Sequence, residues 1–190
     1  MTMHFWDRKT ALASAILVFA SVCLPNVASA ESHLFDEIRV MPNLDVGNAA
    51  RRESGVFVNA MVLFDPLDAA HATGADLMAR PRLHIGANLS TEGKTSQIYG
   101  GFSWKIPLND LFFVDFGIGG TVHNGRVSNE GPGPDLGCSL LFHEYAGVGY
   151  QIDPNWSLMA TIDHSSHAGM CNRMQNQGIT HGGLAVGYKF

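Results

Sequence analysis

From about Arg80 to the end of the chain, apolar side chains recur at every second position in strand-length segments separated by turn residues. A two-residue period belongs to a strand, whose side chains point alternately to opposite faces, and no helix-period segment competes with it. In 80–90, Leu83, Ile85, Ala87 and Leu89 share one face, and Arg82, His84, Gly86 and Asn88 the other. Segments 96–106, 112–123, 138–152, 156–167 and 180–190 repeat the arrangement, with one parity apolar and the other polar or small. Two earlier segments, about 33–41 and 55–64, bring the predicted strands to eight, and 65–79 is left open as a long turn, a short helix or part of a strand.

An even strand number, short links such as Asp153-Pro154-Asn155 at one end and longer ones at the other predict an all-β, eight-stranded antiparallel transmembrane β-barrel. The Gly-rich polar parity would then fill a narrow interior. A soluble lipocalin-like barrel alternates too, with its apolar face inward, and alternation alone cannot tell the two apart. The membrane version is favoured because Trp104, Phe112, Tyr150, Trp156, Tyr188 and Phe190 fall toward strand ends on the apolar parity, as interfacial girdles do.

The amino terminus is patterned differently. Basic Arg8 and Lys9, an apolar run over 11–24 and the small-x-small Ala28-Ser29-Ala30 read as a signal peptide over 1–30, leaving a barrel domain over 31–190. Cys23 would suit a lipoprotein signal, but Val22 stands where a small residue is wanted. Two cysteines then remain, Cys138 and Cys171, and in an exported protein the pair suggests one disulfide, with two free thiols as the alternative. A net charge of −5 without any block of like charges argues against a nucleic-acid partner. No stretch after residue 30 approaches the apolar length of a membrane helix.

Two ionisable side chains interrupt the apolar parity of the last six segments: Glu144, and His164 with Ser166 beside it. Ionisable groups facing hydrocarbon are costly and read as functional by default. The Asp153-Pro154-Asn155 link makes Ile152 face Trp156, and counting back sets Glu144 opposite His164. Their Cβ atoms would be about 4.5–5.5 Å apart, with Ser166 one pleat repeat further on, about 6.6 Å along the strand. From Trp156, at ~3.3 Å per residue and a tilt of ~40–45°, His164 rises roughly 19–20 Å across an apolar band about 25 Å tall, close to the outer boundary. The same count brings Cys138 alongside Met170, so Cys171 is close enough for a bridge, which would clamp the outer loop over Ser166.

Hydroxyl, imidazole and carboxylate make up an activated nucleophile. Ser166 would attack an ester carbonyl, His164 would serve as base and then acid, and Glu144 would orient it. The Gly169 backbone N–H and the Asn172 amide are the candidate oxyanion donors. Ser165 is a poorer nucleophile because its parity points inward. The non-catalytic alternatives are a headgroup contact for His164 and an ion-pair role for Glu144. His143, His167 and His181 show no metal spacing and fill the interior or rim, and neither a metal nor an organic cofactor is expected.

The stretch His164-Ser165-Ser166-His167-Ala168-Gly169, the segment 176–178 and the close Gly187-Tyr188-Lys189-Phe190 resemble PagL-type lipid A 3-O-deacylases, most firmly over 142–190. The resemblance implies an eight-stranded outer-membrane esterase whose lipid-facing His-x-Ser motif removes the 3-linked acyl chain of lipid A, with His164 and Ser166 matching the motif. Two features depart from the family. His167 stands where Asn is usual, and the family's acid follows the motif toward the last strand, whereas no Asp or Glu occurs here after Asp163. Glu144 takes that role on geometric grounds. The expected partners are lipopolysaccharide as substrate, outer-membrane lipids, and the assembly machinery, whose terminal aromatic signal Tyr188-Lys189-Phe190 resembles; a homodimer stays open. The competing readings are a non-enzymatic small barrel that binds lipopolysaccharide or stabilises the envelope, and a phospholipase using the same triad.

Overall fold

The structure is a computed structural model that describes residues 34–128, 131–171 and 176–190; the expected leader over 1–30 lies outside them. Eight antiparallel strands follow one another around a closed barrel: β1 (Glu37–Asp45), β2 (Phe57–Phe64), β3 (Arg82–Ser90), β4 (Gln97–Pro107), β5 (Phe112–His123), β6 (Leu140–Gln151), β7 (Trp156–Ser166) and β8 (Ile179–Lys189). β8 returns to β1, with Glu37 opposite Lys189 and Leu44 opposite Gly182, so no strand edge is left unpaired.

The direction of the alternation is now resolved. Ile98, Ile118, Leu140 and Leu184 are exposed on the outer wall, while Arg39, Gln97, His143 and His181 are buried in the lumen. This is the reverse of a lipocalin-type barrel, and it matches a cylinder whose solvent is hydrocarbon. Aromatic rings gather at one end of the wall: Phe112 meets Tyr150 at 5.4 Å between centroids, Trp156 meets Tyr188 at 4.9 Å, and Tyr188 meets Phe190 at 5.4 Å. Amphipathic rings in such a belt set the height of the barrel in the bilayer.

The lumen carries ions that neutralise one another. Arg39 donates to Glu37 at 2.7 Å and to Asp115 at 2.7 Å, Arg82 pairs with Asp36 at 2.9 Å and with Asp115, and the Tyr145 hydroxyl donates to Asp115 at 2.7 Å. Buried charges are tolerable only when paired and hydrogen-bonded in this way. Glycine of the inward parity makes room for large rings, as where Gly149 lies under Phe113 and Gly117 under Tyr145.

One expectation needs revision, and one open segment is resolved. The first strand is Glu37–Asp45, about four residues later than 33–41. Its outward set, Ile38, Val40, Pro42 and Leu44, runs past Met41, and the ladder to β8 lapses only at Met41 and Pro42, where proline offers no N–H. The open segment 65–79 forms a 3-10 turn, Ala69–His71, and a short helix α1, Ala75–Ala79. The Asp65 carboxylate accepts from the Ala69 and Ala70 N–H groups at 2.7 and 3.0 Å, and Trp104 Nε1 donates to the Met78 carbonyl at 3.1 Å, fastening the helix beside the girdle.

Candidate active site

β7 climbs from the girdle at Trp156 to the opposite rim at Ser166, and the three-residue link to β6 locks its register. Glu144 faces His164 and Phe142 faces Ser166 across this pair. Period-two alternation does the rest: His164 and Ser166 lie on the outer wall, half-buried, while Asp163, Ser165 and His167 point into the barrel and are buried. Ser165 is sealed at 0% exposure and bonded to His143 Nδ1 at 3.1 Å, which separates it from any membrane substrate.

On its other side β7 pairs with β8, and there His164 faces Thr180. His164 Nδ1 and Thr180 Oγ1 are 2.8 Å apart. The Cε1–Nε2 edge of the ring lies against Gly178, where a Cβ would come within 2.7 Å of Cε1 and 3.1 Å of Nε2. Gly178 also has φ +61, in the left-handed region that glycine adopts without strain. Glu144 is exposed on the neighbouring strand, and among the described residues no ion pair joins it to His164. Nor does a hydrogen bond among them join Ser166 to His164; the two stand one pleat apart on one face, and catalytic pairs are often loose before substrate tightens them.

The loop beyond Ser166 is anchored by a disulfide between Cys138 and Cys171, with Cα atoms 6.4 Å apart. The His167 N–H donates to Asn176 Oδ1 at 3.2 Å, and the Gly169 N–H donates to His167 Nδ1 at 3.1 Å. The Gly169 amide is thus already engaged, and an oxyanion would have to draw it away from His167. Asn172 lies outside the described residues. Cys138, His167 and Cys171 bring their ligand atoms within 4.8 Å of one another, and the two sulfurs are bonded together as a disulfide rather than held as thiolates.

Two hollows share Thr180, the partner of the imidazole. One, about 420 Å³, opens on the outer wall, with Phe116, Ile118, Ala146 and Ile162 in its apolar lining and Glu144, His164 and Thr180 among its polar members. The other, about 390 Å³, lies among the loops, shares Thr180, and is lined in part by Gly178, Arg51 and Arg52. Thr180 and Gly178 are the residues that sequence reasoning missed. Their signal was the pairing of β7 with β8, which the long 167–178 connection conceals.

Fold and site together define an outer-membrane-type β-barrel that carries a serine and a histidine on its hydrocarbon-facing wall. A profile of the lipid A 3-O-deacylase (PagL) family matches residues 73–189, more than half of the chain, and the chain belongs to that family. Among solved structures it is similar to the crystal structure of the outer membrane enzyme PagL, with a TM-score of 0.59 and 18% identity over 80% of this chain and 97% of that one. It is also similar to a de novo designed transmembrane β-barrel, with a TM-score of 0.51 and 10% identity over 85% of this chain and 100% of the other. At these identities the two likenesses concern the fold. No curated protein matches the sequence.

Proposed function

We propose that the protein is a serine esterase that hydrolyses the 3-O-linked acyl chain of lipid A, using Ser166 and His164 on the lipid-facing wall. The observation that carries this reading is the outward placement of both side chains on the hydrocarbon-facing wall, with His164 lining an apolar hollow whose member Thr180 also borders a second hollow among the loops. An acylated, phosphorylated glycolipid needs both kinds of surface: hydrocarbon contact for the chain, and polar or cationic contact, here near Arg51 and Arg52, for the head.

His164 takes the Ser166 hydroxyl proton as Oγ bonds to the ester carbonyl carbon. The tetrahedral oxyanion collapses, the sugar oxygen leaves with the proton returned by the imidazolium, and an acyl-serine remains. Water, activated by the same imidazole, then releases the fatty acid. Glu144, opposite His164, offsets the positive charge that the imidazole acquires in each half-reaction. The oxyanion donors come from the 167–178 loop, with the Gly169 N–H and the Asn172 amide as candidates.

Mass spectrometry of lipid A from cells with and without the protein tests the proposal. Loss of one 3-hydroxyacyl chain, with phospholipids unchanged, is the expected result. An identical acyl pattern would favour a non-enzymatic envelope role, and phospholipid turnover a phospholipase.

A further inference from the structure

We infer that Thr180, on the last strand, is the residue that positions the catalytic imidazole. The inference rests on the reading of Ser166 and His164 as the esterase pair. Cross-strand register sets Thr180 directly opposite His164, and its hydroxyl lies 2.8 Å from Nδ1. Glu144, the carboxylate opposite on the other neighbouring strand, makes no ion pair with the ring among the described residues.

A general base needs one defined tautomer, with its lone pair on the nitrogen that meets the nucleophile. If Nδ1–H donates to Thr180 Oγ1, the lone pair resides on Nε2, on the ring edge that packs against Gly178. A hydroxyl can select this tautomer and fix the ring plane. It cannot supply the negative charge that a carboxylate brings to the imidazolium, so orientation and charge are divided between β8 and β6: Thr180 orients, and Glu144 contributes charge from across β7. The positioning contact lies at the foot of the polar hollow, whose lining includes Thr180 and Gly178, so a bound head group would cover it.

The test compares purified Thr180→Val, Thr180→Ser and Ser166→Ala barrels on lipopolysaccharide, with 15N NMR of His164 in detergent micelles. Valine keeps the shape of threonine without the hydroxyl, and serine restores the hydroxyl. The expected result is a kcat lowered on the order of tenfold to a hundredfold by Thr180→Val with KM unchanged, and largely restored by Thr180→Ser. In the NMR spectra the Nδ1–H tautomer should dominate in the parent and in Thr180→Ser, and mix with the other in Thr180→Val. An unchanged kcat in Thr180→Val, or equal losses in the valine and serine variants, would overturn the inference while leaving the esterase reading intact. Full activity in Ser166→Ala would overturn both. Should Thr180→Val fail to fold, parent spectra with Nδ1 unprotonated would overturn the inference on their own.

Discussion

Glu144 and His164 are direct cross-strand partners on the lipid-facing wall, yet the imidazole Nδ1 is engaged by Thr180 on the opposite strand. A carboxylate so placed acts through its field rather than by fixing the ring. Glu144→Gln should therefore lower kcat by about tenfold or less, far short of the ~10⁴-fold loss that follows when an orienting triad acid is neutralised. Steady-state kinetics on the purified barrel separate the two; a loss near the larger figure would mean that the carboxylate reaches Nδ1 during turnover.

Ser165 is sealed in the lumen against His143. Ser165→Ala should cost about 1 kcal/mol of stability, the net worth of a buried hydrogen bond, and leave lipid A deacylation within about twofold of the parent, since only side chains on the outer parity meet the substrate. Thermal unfolding and fatty-acid release measured on one preparation check both halves.

The imidazole of His164 packs against Gly178, in the space a side chain there would need. Gly178→Ala combines a side chain in the left-handed region, at a strain of roughly 1–2 kcal/mol, with a Cβ pressed on Cε1. The barrel should still form, because Gly178 precedes β8, while kcat falls by more than about tenfold as the ring is displaced from its productive geometry. Heat-modifiable migration on a gel reports the fold, and activity reports the ring.

The Cys138–Cys171 bridge closes a sequence separation of 33. In the chain-entropy account a loop of that length gains about 3–4 kcal/mol from its crosslink. Reduction, or replacement of both cysteines by serine, should make the 167–178 loop sensitive to protease while strands β1 to β8 stay protected. Deacylation should fall several-fold, because the loop borders Ser166.

Much of this was legible in the chain itself, and the reason lies in link length. β6 and β7 are joined by so short a turn that parity and register follow from counting, which placed Glu144 opposite His164 and Cys138 near Cys171 before any coordinate. The sense of the barrel wall followed from aromatic placement on the apolar parity. Thr180 stayed hidden because the long connection from Ser166 to Ile179 lets β8 slide in register without breaking any sequence rule. The start of β1 was obscured by inward charges, Glu37 and Arg39, whose partners Asp115 and Arg82 lie on distant strands. Helix α1 is too short for periodicity to reveal.

The central claim is that chemistry occurs at an outward-facing hydroxyl on the barrel wall. Release of 3-hydroxy fatty acid from lipopolysaccharide by purified Ser166→Ala, measured beside the parent with heat-modifiable migration as the control for folding, tests it most directly. The account predicts a folded barrel whose release rate drops at least about a thousandfold. A folded Ser166→Ala barrel that releases the acid at the parent's rate would contradict it.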